Sequence, residues 1–267
     1  MSFDPAGDPA GDPAGDPAGD PAGDPAGGGA GGGAVRVALA GGPAGDAALF
    51  EAIPRRQSTR GEHDGRPVGA ADLDALAAAA AIPGADLVLI TERRRIDAVR
   101  DLVLAGNTAQ MADPAFVREL RDWLRFSPRT ALAAGDGLFS VASGNPALPD
   151  WLGPAMFDWT FTARSENERV AARIASSAGI AVFVAARDDP EHWVLAGRAA
   201  QRFSLRATAL GLRHAHLNQP VEVAGLRPDL AAMIGLPGRR PDLVMRFGHG
   251  ADAPFSARRP VDAVVVA

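Results

Sequence analysis

A short basic segment near the start of the sequence holds the residue types that bind phosphate. Three arginines and two hydroxyl side chains fall within six consecutive positions, residues 55–60. Arginine binds phosphate through two parallel N–H donors, and serine and threonine hydroxyls add further donors. A phosphate monoester is therefore a suitable ligand, although a solvated basic turn would have the same composition. A second basic pair, Arg258 and Arg259, lies near the C-terminus and could converge on the same phosphate or face solvent.

The other polar residues form no strong catalytic constellation. His214 and His216 share one face of a predicted strand, but two histidines without a neighbouring carboxylate make a weak metal site, so we predict no metal. The serines lack the Gly-x-Ser-x-Gly motif of triad hydrolases. The absence of cysteine excludes disulfides, thiolate metal sites and cysteine nucleophiles. Three aromatic residues could stack on a bound ring, although core packing is commoner: Trp151, Phe157 and Trp159.

The elements that would position these residues follow a low-complexity segment. The tetrapeptide Asp-Pro-Ala-Gly repeats six times over residues 4–27, and a Gly-Ala run continues to residue 33. Because such a segment has no large apolar side chains to bury, it cannot offset the entropy lost on ordering. We therefore predict a disordered linker over residues 1–34 and a folded domain over residues 35–267.

Helical and strand periodicities alternate irregularly beyond the linker. Strands are predicted near residues 35–39, 85–91, 180–184, 214–217 and 243–247, and a β-branched run closes the chain at 261–267. Helices are predicted over residues 47–53, 70–81 and 227–234, and after the N-caps Asp113, Ser165 and Asp189. Residues 127–159 are rich in Gly, Pro and aromatics and are predicted as a covering loop or lid. Neither regular βαβ alternation nor a nucleotide-binding glycine motif occurs, so we predict an α+β domain with a mixed or antiparallel sheet covered by helices.

Charge and hydropathy exclude several classes of partner. The net charge is -5, but the six repeat aspartates account for this, and the rest of the chain carries +1. This nearly neutral part of the chain has no strong electrostatic field that would attract nucleic acid or an anionic membrane. The N-terminus lacks a secretory signal pattern, and no apolar stretch approaches the roughly 20 residues that cross a bilayer. We expect a cytoplasmic protein without nucleic-acid or membrane partners.

Several of these segments, taken in order, resemble the FMN-dependent nitroreductase superfamily. Residues 53–60, Ile-Pro-Arg-Arg-Gln-Ser-Thr-Arg, resemble the Arg-x-Ser-x-Arg/Lys signature that opens nitroreductase domains. Residues 199–212 are similar to the long central helix, and residues 216–220, His-Leu-Asn-Gln-Pro, resemble the segment that passes the flavin ring. Residues 246–250 and 258–261 resemble the closing strand and the arginine on the phosphate side.

The motifs Leu-Asn-Gln-Pro-Val-Glu and Arg-Arg-Pro-Val-Asp are more similar to the Acg-like actinobacterial branch than to classical nitroreductases, and the chain resembles only the C-terminal half of Acg-like proteins. The resemblance implies bound FMN. By position, Arg56 and Ser58 would hold its phosphate and ribityl chain, Gln57 between them would belong to the same cofactor site, and Arg60 would approach the pyrimidine edge of the flavin. The remaining implied contacts are Asn218 and Gln219 on the ring and Arg258 on the phosphate side.

The resemblance also implies an oxidoreductase, in which NAD(P)H reduces the flavin and the flavin reduces a nitroaromatic or quinone-like acceptor. No side-chain acid or base is then required. Two alternatives stay open: a flavin-sequestering protein without turnover, and a fragment that binds nothing. Because nitroreductase sites form at a two-fold interface, the chain would need to form a homodimer or to pair with another nitroreductase-like half.

Overall fold

The computed structural model describes residues 2–4, 34–36, 45–256, 259–263 and 265. The chain divides into two units, Met1–Gly45 and Asp46–Ala267. In the first unit, strand β1 (Ser2–Asp4) pairs antiparallel with strand β2 (Ala34–Arg36). Most of the Asp-Pro-Ala-Gly repeat lies outside the described residues, so its disorder and the domain boundary at residue 34 stay predictions.

The second unit combines helices with a four-stranded sheet and a separate pair of strands. Its described helices are α1 (Ala47–Ala52), α2 (Ala70–Ala80), α3 (Arg93–Met111), α4 (Pro114–Trp123), α5 (Pro128–Ala134), α6 (Gly153–Thr160), α7 (Ala163–Ala175), α8 (Pro190–Ala209), α9 (Gln219–Glu222) and α10 (Arg227–Met233). Its described strands are β3 (Ala85–Ile90), β4 (Leu124–Arg125), β5 (Leu138–Phe139), β6 (Gly179–Ala185), β7 (Arg213–His216) and β8 (Pro241–Gly248). None of the helices in these ranges is long and apolar enough to cross a membrane.

A four-stranded antiparallel sheet forms the centre of this unit, with the order β3-β6-β8-β7. Strand β6 is buried along its whole length because both of its edges are paired and both of its faces are covered. Its side chains alternate between two cores, with Val182 in the cluster that includes residues of α3 and α7, and Phe183 against α8. The prediction of an α+β domain with an antiparallel sheet covered by helices is confirmed.

Helices α4 and α8 begin at the residues that the sequence predicts. The Asp113 carboxylate accepts a hydrogen bond from the backbone N–H of Ala115 at 2.8 Å, and the Asp189 carboxylate accepts one from His192 at 2.9 Å. Each cap precedes a proline, which has no N–H to leave unpaired in the first turn. Gly211 ends α8 with a positive φ of 75°, as its position predicts.

The predicted start of α7 is wrong by three residues. Thr162, not Ser165, is the N-cap, and the two residues form a reciprocal capping box: Thr162 Oγ1 accepts from the N–H of Ser165, and Ser165 Oγ accepts from the N–H of Thr162. Both residue types are good caps, so only the backbone geometry distinguishes them. The sequence predicts that this helix ends at Gly179, but it ends at Ala175, and Gly179 begins β6.

The C-terminal β-branched run does not begin a strand. Val261–Ala263 is a 3-10 turn, and Val261 is 70% exposed. β-branched composition favours a strand only where a neighbouring strand and a covering layer are available, and the described part of this run has neither.

The segment predicted as a lid contains more regular structure than expected. Residues 124–161, here called the lid segment, include α5 and α6, a 3-10 turn at Ser140–Ser143, and the parallel pair β4–β5. Local capping explains α5, because Ser127 Oγ accepts from the N–H of Thr130 at 3.1 Å and Gly135 ends the helix with a φ of 62°. Short helices of this kind leave little periodicity in the sequence.

Candidate functional site

A cavity of about 790 Å³ lies between the lid segment and the helices and strand ends beside it. This volume falls within the range of small-molecule sites, roughly 300–1,000 Å³. The large apolar residues of the lining, here called the apolar wall, include Met111, Phe116, Leu120, Leu124, Phe126, Leu138, Leu148, Met156, Phe157 and Phe161. The charged and larger polar residues, here called the polar wall, include Arg60, Asn107, Gln110, Glu166, Arg169, Arg173, His216, Asn218, Gln219, Glu222 and Arg246.

The cavity brings together three of the seven residues that the sequence predicts as ligand contacts: Arg60, Asn218 and Gln219. The rest of the predicted basic segment lies outside the cavity lining: Arg56, Gln57 and Ser58. Arg258 lies outside the described residues. The fold therefore places the ring-side residues of the predicted site in one cavity, and the roles assigned to all seven stay predictions.

The basic segment is tied to the edge strand of the central sheet. Ser58 forms a parallel bridge with His214, and the N–H of Thr59 donates to the carbonyl of His214 at 2.8 Å. The N–H of Arg56 donates to the carbonyl of Ala52 at 2.9 Å, which fixes the start of the segment on α1. The chain therefore runs past β7 in an extended form and enters the cavity wall at Arg60.

Arg246 holds the same segment from inside the protein. This side chain on β8 is 1% exposed and hydrogen-bonds four oxygens, the carbonyls of Thr59 (3.0 Å), Gly61 (2.6 Å) and Arg173 (3.2 Å) and the hydroxyl of Ser177 (3.3 Å). Burial lowers the pKa of Arg246 to about 10, and the charge of Arg173 acts in the same direction. Arg246 is thus the tie between the basic segment, the end of α7 and the sheet.

Arg60 lies between the two anchored residues Thr59 and Gly61 and lines the cavity. Within the described part of the chain, its guanidinium has neither a hydrogen-bond nor an ion-pair partner. Burial lowers the pKa of Arg60, and the nearby positive charge of Arg173 lowers it further. A partly desolvated cation without a partner is available to a ligand that carries negative charge.

Asn218 and Gln219 differ in what their side chains can offer a ligand. Asn218 Oδ1 already accepts a hydrogen bond from the N–H of Val244 at 3.0 Å, which joins this turn to β8. Gln219 Oε1 is buried and accepts no hydrogen bond from the described residues. A buried acceptor without a donor costs free energy, so Gln219 favours a ligand that donates a hydrogen bond.

A glycine in α3 permits the close approach of this turn. A Cβ at Gly106 would lie 2.8 Å from the carbonyl oxygen of Gln219 and 2.9 Å from its carbonyl carbon. Only a residue without a side chain fits here, because the atoms in the way belong to the backbone. The position of Gln219 in the cavity therefore depends on Gly106.

Helix α7 supplies cavity residues that the sequence reasoning missed. Glu166, Arg169 and Arg173 line the cavity together, and Glu166 and Arg169 form a close ion pair. Burial raises the pKa of Glu166 despite that ion pair. Their spacing of three and four residues places them on one face of a helix, which is the signal that could have found them.

The two α7 arginines also contact the lid segment. Arg169 donates to Asn145 Oδ1 at 2.8 Å, and Arg173 lies 3.4 Å from the carbonyl oxygen of Ser143. The Ser143 hydroxyl donates to the carbonyl of Ser140 at 2.6 Å, which stabilises the 3-10 turn. The predicted covering segment thus forms one wall of the cavity and is bonded to α7.

The three aromatic residues that could stack on a bound ring differ in exposure. Phe157 is buried and stacks on Phe161 with ring centroids 4.3 Å apart, whereas Trp151 and Trp159 are 80% and 78% exposed. Phe157 therefore lines the cavity, and the two tryptophans lie on the outer surface of the lid segment. Among the described residues, no three His, Cys, Asp or Glu side chains are grouped so that they could hold a metal ion.

Two buried histidines lie beside the basic segment. His63 is 7% and His214 1% exposed, and the ring nitrogens of both lack partners among the described residues. Burial lowers the pKa of each to about 3, helped by the charge of Arg246 near His63 and of Arg56 near His214. Both imidazoles are therefore neutral in the folded protein at ordinary pH.

We expect this arrangement to make folding sensitive to mild acid. The unfolded histidines take up protons below pH 6.5, whereas the folded ones stay neutral until about pH 3. Stability should therefore be complete above pH 6.5 and fall toward pH 3, with a loss of about 1 kcal/mol per histidine between pH 6.5 and 5.5. Urea unfolding at these two pH values measures the loss. His63→Gln should reduce it by about 1 kcal/mol, and an unchanged difference would contradict the assignment of a neutral buried His63.

Comparisons with known proteins agree with this fold. No protein-family model matches the chain. A Mycobacterium tuberculosis protein, provisionally named NAD(P)H nitroreductase and present in strains CDC 1551 and H37Rv, is 27% identical over 228 residues, which cover 82% of this chain. The match spans 62% of the length of that relative.

Solved structures show the same architecture. An FMN-dependent nitroreductase of Mycobacterium smegmatis in complex with NADPH superimposes with a TM-score of 0.54 and 14% identity, covering 82% of this chain and 97% of that one. A nitroreductase of Bacteroides fragilis with bound FMN gives a TM-score of 0.50 at 14% identity, with the same coverage of both chains. The chain therefore has the fold of the nitroreductase superfamily.

Proposed function

We propose that the chain is an FMN-dependent NAD(P)H oxidoreductase of the nitroreductase type. The observation that carries the proposal is the cavity itself, which joins an unpartnered arginine and a buried, unpartnered acceptor to an apolar wall. The nitroreductase relatives and the FMN-containing structures of the same fold support it. Because the chain spans 62% of the length of its curated relatives, their activity as whole proteins is part of the proposal.

The residues of the cavity fit the ring of FMN. The pyrimidine part of a flavin has an N–H donor flanked by two carbonyl oxygens, and its other end is an apolar dimethylbenzene. Gln219 Oε1 would accept from the N–H, and Arg60 would donate to the pyrimidine carbonyl beside it. The apolar wall of the cavity would cover the hydrocarbon end of the ring.

The phosphate side of the proposed site depends on residues outside the cavity lining. We propose that Arg56, Gln57 and Ser58 hold the phosphate and ribityl chain, and that Arg258 joins them. Support comes from the extended path of the segment, since Ser58 is fixed beside His214 and Arg60 enters the cavity only two residues later.

Bound FMN supplies two-electron transfer, in which NAD(P)H and a proton convert an acceptor to its dihydro form and release NAD(P)⁺. Arg60 would place a positive charge beside the pyrimidine edge, where negative charge develops on reduction. Arg246 would keep Arg60 in place through the carbonyls of Thr59 and Gly61. The lid segment would exclude water from the cavity. No side chain need act as acid or base, and we propose nitroaromatic or quinone-like compounds as acceptors.

We also propose that a second nitroreductase-like half, most simply another copy of this chain, completes the site. The residues proposed for the phosphate lie outside the cavity of the single chain, close to α1. The side chains of Phe50 and Ile53, in and just after α1, are 76% and 54% exposed and would be available to a second half at this position. Light scattering on the purified protein would determine its oligomeric state.

The absorbance spectrum of the purified protein tests the proposal. We expect a flavin band between 300 and 550 nm that bleaches when NADPH is added without oxygen and returns when a quinone is added.

Arg60→Gln should weaken FMN binding about tenfold or more, because one charge-assisted hydrogen bond contributes roughly 1.5–3 kcal/mol. Arg55→Gln is the matched control, since Arg55 is exposed and, among the described residues, hydrogen-bonds only the carbonyl of Glu51.

Flavin sequestration without turnover is the second candidate function. It is favoured by the contacts between the lid segment and α7, Arg169 with Asn145 and Arg173 with Ser143, which limit access to the cavity. A flavin band that NADPH does not bleach would support sequestration, and protein without any flavin band after FMN addition would contradict both functions.

A further inference from the structure

The lining of the cavity carries more charged side chains than the ring of a flavin requires. Its apolar wall comes from the end of α3, from α4 and from the lid segment. Its polar wall includes two glutamates, Glu166 and Glu222, and four arginines: Arg60, Arg169, Arg173 and Arg246. The excess of positive charge on one wall indicates that a second, anionic group belongs there.

The two glutamates already have partners. Glu166 forms its close ion pair with Arg169. Glu222 Oε2 accepts from the Gln110 side-chain amide at 2.6 Å. The charges of Glu166 and Glu62 also act on Arg173, but among the described residues no carboxylate forms an ion pair with it.

Arg246 is satisfied by four neutral oxygens, so two cavity arginines remain, Arg60 and Arg173. Neither hydrogen-bonds a carboxylate of the described residues, and the single bond of Arg173 is a 3.4 Å contact with the carbonyl of Ser143. Burial lowers the pKa of both, and for Arg60 the charge of Arg173 is a further cause. Partly buried guanidinium groups of this kind are stabilised by an anion.

The proposed function assigns Arg60 to the pyrimidine edge of the cofactor, which leaves Arg173 for the acceptor. We infer that the site selects acceptors in which an apolar aromatic body carries a carboxylate, and that Arg173 binds this carboxylate. The guanidinium matches the two oxygens of a carboxylate, while the apolar wall buries the ring of the acceptor. This inference rests on the proposed function, and Arg173 would act as a specificity-determining residue.

A matched pair of acceptors tests the inference with the full-length protein loaded with FMN. The pair is 4-nitrobenzoate and the neutral 4-nitrobenzamide, each reduced to the nitroso compound and water by one NADPH and one proton. We expect kcat/KM to be about tenfold or more higher for the acid, from the charge-assisted bonds. Arg173→Gln should abolish this preference, and Arg173→Lys should keep part of it. Arg164→Gln is the control, because Arg164 lies on the same helix and its side chain is 89% exposed.

Binding measured without NADPH separates the inference from the proposed function. Isothermal titration calorimetry should show tighter binding of 4-nitrobenzoate than of the amide, and the difference should vanish in Arg173→Gln. If that pattern appears but neither compound is reduced, the anion site stands and the oxidoreductase proposal fails. If both are reduced but the acid has no advantage, or keeps it in Arg173→Gln, the inference is overturned and the oxidoreductase stands. If Arg173→Gln does not fold, Arg173→Lys provides the test. An unchanged preference for the acid in Arg173→Lys would overturn bidentate binding of the carboxylate by Arg173.

Discussion

Arg246→Leu should destabilise the folded protein by about 3 kcal/mol, because three carbonyls and one hydroxyl, buried or partly buried, lose a donor at once. The loss of the buried charge offsets part of this cost, as the lowered pKa of Arg246 indicates that burial is unfavourable for its charged form. For a folded unit of this size, we expect the midpoint of thermal unfolding to fall by about 10 °C.

Two further variants of the same type show whether the effect belongs to this site. Arg198→Leu removes an exposed arginine from α8 and should change stability by less than about 0.5 kcal/mol. Arg246→Lys keeps a charge but reaches fewer of the four oxygens, so its stability should be intermediate. A midpoint for Arg246→Leu equal to that of the wild type would show that the basic segment does not depend on Arg246.

Gly106→Ala should destabilise the protein by about 2 kcal/mol, although alanine is the better helix former. The added Cβ would lie within 3 Å of the carbonyl oxygen and carbon of Gln219, and the backbone can relieve this contact only by moving the turn. Because Asn218 and Gln219 move with it, we also expect weaker binding of FMN. Urea unfolding and titration with FMN measure the two effects.

Gly197→Ala provides a control of opposite sign for this prediction. Gly197 is an exposed helical glycine in α8, and nothing lies within 4 Å of a Cβ added there. Alanine should therefore stabilise the protein by up to about 1 kcal/mol through helix propensity alone. Equal changes in stability for the two variants would show that close packing against Gln219 does not decide the outcome at Gly106.

Local chemistry explains the parts of the fold that the sequence predicts well. Asp113 and Asp189 are followed by proline, and the capping groups lie within three residues of the cap, so no distant contact is needed to form them. Strand β6 is equally clear, because its short apolar run fits a strand buried on both faces. Where two neighbouring residues could both act as a cap, as Thr162 and Ser165 do, the sequence pattern alone could not choose between them.

The candidate site could be predicted only in part, for a related reason. Residue types pointed to the basic segment and the family resemblance pointed to the turn at Asn218 and Gln219, but neither showed which side chains enter the cavity. That choice depends on contacts between residues far apart in the chain, such as the bond between Arg246 and Thr59, which are separated by 187 positions. Arg173 was missed because a helical arginine is ordinarily solvated, and nothing nearby in sequence shows that a lid covers it.

Composition and short-range pattern were thus sufficient for the fold class, the helix caps of α4 and α8 and the buried central strand, and the family resemblance supplied the segments from which a cofactor site could be built. The sequence alone could not predict that Arg60, Arg173 and Gln219 line the same cavity. Short-range interactions act between residues whose separation is set by the local backbone, so they can be read from spacing. The cavity instead depends on how the packed sheet, α7 and the lid segment exclude water from charged groups, and burial of that kind exists only after the chain has folded.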